Sequence, residues 1–90
     1  ISKERLKEIS RLPREEPISK LRRMSGKVIY ELAVPGVKNI EDILINRLEN
    51  SIEIKAISKN KIYSKVLNLN LPIIGYRLTE ENLILEFRGQ

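Results

Sequence analysis

Ninety residues, 41% hydrophobic and 32% charged, fit one small folded domain with a single core rather than a disordered chain. The absence of Cys and His excludes a disulfide framework, a thiolate nucleophile, a zinc cluster and any imidazole-based triad. The formal charge of +5 belongs to residues 1–27, where nine Lys/Arg face four Glu; the other 63 residues balance at eight against eight.

Residues 2–12 (SKERLKEISRL) read as a short helix. Ser2 can cap it, and Leu6, Ile9 and Leu12 recur on one face. Pro13 and Pro17 end it by removing amide donors and pushing the preceding residues extended. From Ile18 the period becomes two. Residues 18–24 (ISKLRRM) form a charged edge strand, and Ser25-Gly26 a turn. Val28, Tyr30, Leu32 and Val34 then fall on one face of a strand that Pro35-Gly36 stops. A loop or single helical turn at 39–42 leads to a strand over 43–47.

After a turn at Glu49-Asn50, residues 51–57 place Ile52, Ile54 and Ala56 on one side. Lys59-Asn60-Lys61 is a tight connection into a long strand over 62–71, with Leu67, Leu69 and Leu71 inward and Pro72 at its end. Strands over 73–78 and around Leu83, Leu85 and Phe87 flank a polar turn at 79–82. About seven short strands without crossover helices predict an all-β, antiparallel β-sandwich of immunoglobulin-like type, residues 18–88, preceded by a basic, partly helical arm, residues 1–17. With aromatics at 4%, its core is aliphatic.

No apolar run is long enough for a membrane span, and no secretory signal opens the sequence, so a cytoplasmic protein is expected. Ile1, standing where an initiator Met would, is read as the start of a trimmed chain. The pairs Glu15/Glu16, Glu41/Asp42 and Glu80/Glu81 are sequence neighbours, which on a strand point to opposite faces and make no acid–base pair. With no Gly-rich phosphate loop and no metal-ligand spacing, neither an enzyme nor a cofactor nor a metal is expected. The basic arm lacks aromatic interleaving and is diluted by Glu4, Glu8, Glu15 and Glu16, which disfavours nucleic acid and favours a solvated or partner-docking arm.

The segment YELAVPG at residues 30–36, followed by VKNIEDILI, resembles the start of the alpha-crystallin domain of small heat-shock proteins. The resemblance continues in order through SIEIKA at 51–56, KVLNLNLP at 65–72 and EENLILEF at 80–87, and upstream through REEPISKL at 14–21. It covers roughly residues 14 to 88 and is closest to short-loop archaeal members. The connection at 58–61 is too short for the strand-bearing loop through which many members pair, and either Glu81 or Asn82 stands where the family has a turn Gly. No isoleucine-x-isoleucine tail follows Phe87 within the sequence.

The resemblance implies an ATP-independent chaperone that holds partly unfolded client proteins, works as a homo-oligomer and acts without cofactor or membrane. It also implies a groove for clients or tails, for which Ile43, Ile45, Ile74 and Tyr76 are the candidates. Leu6, Ile9 and Leu12 are candidates for an assembly or client-binding arm. Two strands, 18–24 and 62–71, are candidates for edge pairing, unless Lys20, Arg22, Arg23 and Lys65 guard them. The alternative is a monomeric co-chaperone (CS-type) or ATPase-associated module that recognises one folded partner.

Overall fold

A computed structural model of the chain describes residues 11–89. Eight strands make two four-stranded sheets: β1 (Arg14–Glu15), β2 (Ile18–Met24), β3 (Lys27–Ala33), β4 (Ile43–Arg47), β5 (Ile52–Ile57), β6 (Ile62–Leu67), β7 (Ile73–Thr79) and β8 (Asn82–Arg88). The first sheet has the order β1-β6-β5-β4 and the second β2-β3-β8-β7. Every pairing is antiparallel except β1 with β6. This is the expected sandwich. The helix read over 2–12, with Leu6 and Ile9, lies outside the described residues apart from its last two positions.

The alternation that identifies the strands also builds the core. Leu83, Leu85 and Phe87 of β8 are each fully buried, as are Leu32 of β3 and Ile52 of β5. Ile54, Ala56, Tyr63, Leu67, Val34 and Val37 join them in one cluster. Each fully buried Leu, Ile or Phe contributes about 1.5–3 kcal/mol relative to exposure. Tyr63 keeps its polar end satisfied by donating its hydroxyl to the Pro35 carbonyl at 2.7 Å.

The chain differs from the sequence reading in three places. β1 was not foreseen: Arg14 and Glu15 pair in parallel with Ile62 and Tyr63, so the sheet takes in residues ahead of Ile18. The long strand expected over 62–71 stops at Leu67, because its partner β5 begins at Ile52, the residue opposite Leu67. Leu69 and Leu71 beyond it still pack on the core. The turn between β7 and β8 is tighter than 79–82; only Glu80 and Glu81 are outside the ladder, and both have positive φ, 49° and 63°. That primed geometry matches the twist of a two-residue hairpin, although Glu tolerates it less well than Gly or Asn. The expectation that Glu81 or Asn82 replaces a turn Gly therefore resolves to Glu80-Glu81, with Asn82 already in the strand.

Two connections are tied by their own side chains. At 58–61, the Ser58 hydroxyl donates to the Lys61 carbonyl and accepts from the Lys61 and Asn60 amides, at 2.9, 3.0 and 3.3 Å. Glu81 braces the segment after β3: its carbonyl accepts from the Val34 amide at 2.9 Å and its carboxylate from the Gly36 amide at 3.1 Å.

Candidate interaction groove and sheet edges

The two sheets leave an open side between β4 and β7, the edge strands of the first and second sheet. The Arg47 guanidinium at the end of β4 donates to the Leu71 carbonyl just before β7, which brings these two edges to the same side of the sandwich. The inner row of β4 is Ile43, Ile45 and Arg47, in register with Ala56, Ile54 and Ile52. The inner row of β7 is Ile73, Tyr76 and Leu78, in register with Phe87, Leu85 and Leu83.

These rows divide the four groove candidates. Ile43 is 6% exposed and belongs to the core. Ile45 is half-buried on the open side, and Tyr76 is 47% exposed although its register partner Leu85 is fully covered. Ile74 leaves the row. A bulge sets Ile74 and Gly75 against the single residue Glu86, and Ile74 lines a depression with Gly75, Tyr76, Arg77, Ile84 and Glu86. Sequence reasoning paired Ile74 with Tyr76 as candidates and so missed Ile73; Gly75, a small residue inside a strand, was the available sign of a bulge. Ile45, Ile73 and Leu78 pack against the core from these rows, with Arg47 at the end of β4 and a depression lined by Lys38, Glu80 and Glu81 beside Leu78.

The other side of the sandwich is treated differently. The edge of β6 was expected to be free, but β1 covers its first two residues. The Ile62 amide donates to the Pro13 carbonyl at 2.9 Å, Lys61 pairs with Glu15 at 3.5 Å and Lys65 with Glu16 at 2.7 Å. Lys65 is not a guard on an outer edge. Its register partner is Ile54, so it sits in the inward row between Tyr63 and Leu67, with only 20% of its side chain exposed. The hydrogen bond to Glu16 raises its pKa above the ordinary lysine value, outweighing the opposing effect of burial, and the Glu16 and Tyr30 charges act in the same upward direction. Leu12, the one described residue of the apolar arm stripe, is half-buried.

β2 is a further edge strand, with no described strand paired to its outer side. It pairs with β3 along all seven residues. Ile18, Leu21 and Met24 are 77%, 48% and 59% exposed, interspersed with Lys20, Arg22 and Arg23. Among the described residues no group of three His, Cys, Asp or Glu side chains converges on a metal-sized site, and no helix is long and apolar enough to cross a membrane. What the described residues offer is contact surface: exposed apolar side chains on β2 and β7, the edge strands of the second sheet.

No protein-family model matches the sequence, and no curated protein matches it either. Solved structures do. Heat shock protein 16.0 from Schizosaccharomyces pombe superposes with a TM-score of 0.68 at 14% identity, covering 86% of this chain and 68% of that one. The small heat shock protein AgsA from Salmonella typhimurium, truncated at both termini, gives 0.68 at 15% identity, over 83% of this chain and 100% of that one. A Sulfolobus hsp14.1 mutant, A102D, gives 0.66 at 14% identity, over 97% and 86%. Two sheets in the orders β1-β6-β5-β4 and β2-β3-β8-β7, closed over an aliphatic core and open between β4 and β7, thus give this chain the alpha-crystallin-type sandwich fold of small heat shock proteins.

Proposed function

We propose that the chain is the sandwich domain of an ATP-independent small heat-shock chaperone, a holdase that binds partly unfolded proteins in the cytoplasm and keeps them from aggregating. One observation supports the reading: Tyr76, in the inner row of β7 opposite the fully buried Leu85, is 47% exposed, and Ile45, Ile73 and Leu78 of the β4 and β7 inner rows are only partly buried. A segment of an unfolded chain gains by burying its own apolar side chains there, and the chemistry asks for no nucleotide or metal. Affinity at one such groove is low, so capture relies on several grooves acting together in a homo-oligomer.

The test is suppression of light scattering by a heat-labile client, with the full-length protein in molar excess. Suppression that is lost on Tyr76→Asp supports the proposal. A protein with no effect on the client overturns it. The alternative is a monomeric module for one folded partner, raised by a connection at 58–61 too short for the strand-bearing loop through which many small heat-shock proteins pair. Sedimentation separates the two: a large assembly supports the holdase, a strict monomer the adaptor.

A further inference from the structure

β2 has features that the groove does not account for. Natural sheets protect their edges with short strands, prolines, bulges or charge. β2 has seven residues, no proline and no bulge, so charge is its only protection. All of that charge is positive. Lys20 and Arg22 share the outer row with Ile18 and Met24, and Arg23 shares the inner row with Leu21, as the register with β3 fixes. At the turn end, Lys27 stands opposite Met24 on one side and Arg88 on the other. Among the described residues the only carboxylate paired with the strand is Glu31, 3.7 Å from Arg22.

This pattern selects among possible occupants. A second copy of β2 pairing antiparallel about Leu21 would set Lys20 against Arg22 and Ser19 against Arg23, and like charges directly opposite are destabilising. A nucleic acid would use the cations but leave Ile18, Leu21 and Met24 without partners, and the strand offers no aromatic ring for a base to stack on. An extended peptide with acidic residues alternating with apolar ones matches the strand row by row. Its backbone meets the free edge, its carboxylates, all on the outer face, meet Lys20 and Arg22, and its apolar side chains, all on the inner face, cover Leu21. We propose that β2 is a docking edge for an extended acidic segment of another protein, added to the second sheet as a fifth strand.

The probe is a short peptide of alternating valine and glutamate, N-methylated along one edge so that it cannot stack on itself. Its valine–lysine counterpart and a single-stranded DNA oligonucleotide of equal charge are the comparisons. Binding to the full chain is read by fluorescence anisotropy, and its location by amide hydrogen exchange. The glutamate peptide is expected to bind, to slow exchange across Ile18–Met24 and to weaken as salt rises. The double variant Lys20→Glu/Arg22→Glu is expected to lose about tenfold or more in affinity for it and to gain affinity for the lysine peptide. Both side chains are exposed, and an unchanged melting temperature shows that the variant is folded. Absence of protection at β2, equal binding of the two peptides, or displacement of the glutamate peptide by the oligonucleotide would each overturn the proposal.

Discussion

Tyr76 and Phe87 provide a sharp test of the groove, because both point to the inner side of the second sheet and differ in how far they are covered. Phe87 is fully buried, whereas Tyr76, two residue pairs along the same ladder, is 47% exposed. A tyrosine that buries about half of its roughly 200 Å² forfeits at most about 2.5 kcal/mol of apolar transfer on truncation to alanine, and nearer 1.5–2 against a realistic unfolded chain. Phe87→Ala opens a cavity in the core and costs about 3–5 kcal/mol. For a domain of this size, with a total stability of about 5–13 kcal/mol, the first variant stays folded and the second approaches its limit. Urea titration followed by far-ultraviolet circular dichroism measures both. Light scattering of a heat-labile client then reads function at a temperature where Tyr76→Ala is still native. The expected outcome is a small loss of stability with a large loss of client protection. If Tyr76→Ala costs as much as Phe87→Ala, the side chain is core and not groove; if client protection survives intact, the groove is not where clients bind.

Three further variants test particular positions. Lys65→Met removes the ammonium that holds Glu16 while keeping a chain of similar length in the inward row. Stability should change by about 1 kcal/mol or less, but the Ile62 amide, which donates to Pro13, should exchange faster as β1 loosens. The raised pKa of Lys65 means that the charged pair stabilises the fold fully below the ordinary lysine value of 10.5 and ceases to do so as pH rises through the higher folded value. Urea midpoints of the parent and of Lys65→Met should therefore converge in strongly alkaline solution. Glu80→Asn should stabilise by about 0.5–1 kcal/mol, since it relieves a positive φ of 49° without touching the Glu81 bonds to Val34 and Gly36. Gly36→Ala should cost about 1–2 kcal/mol in the same titration, because φ is +92° there and the new Cβ would lie 3.3 Å from the Ser58 Cβ.

The parts of this fold legible in the sequence are those where one strand carries its own evidence. In β3, β5 and β8 the apolar period of two is unbroken, and the inward residues named from it, among them Leu32, Ile54 and Phe87, lie in the core, with Tyr30 partly buried against it. β1 has no such signal. It exists because the residues after Pro13 lie alongside Ile62 and Tyr63, a contact nearly fifty residues away in the chain. Lys65 was misread for the same reason: as a lysine in a strand it resembles an edge guard, and only the approach of Glu16 explains a cation in an inward row. The bulge at Ile74–Gly75 split the groove candidates because an alternation of apolar residues remains an alternation on paper when the backbone inserts an extra residue.

The distribution of exposed apolar side chains distinguishes the two sheets. Nine large ones are exposed among the described residues, and five of them, Ile18, Leu21, Met24, Ile74 and Tyr76, stand on β2 and β7, the two edges of the second sheet. In the first sheet, β1 is short and clamped by Lys61 and Lys65, while β4 buries Ile43, half-buries Ile45 and ties Arg47 to the Leu71 carbonyl, leaving Leu44 as its one exposed apolar side chain. Burying those five side chains would have stabilised a domain with little stability to spare. Their concentration on one sheet, with cations interleaved at β2 and a bulge at β7, reconciles two opposed demands. The bulge and the cations oppose edge-to-edge aggregation of the chain with itself, while the same strands keep apolar surface within reach of a different chain. The client site proposed beside β7 and the docking edge proposed at β2 would then share the second sheet, while the first supplies the clamped and more covered half of the sandwich.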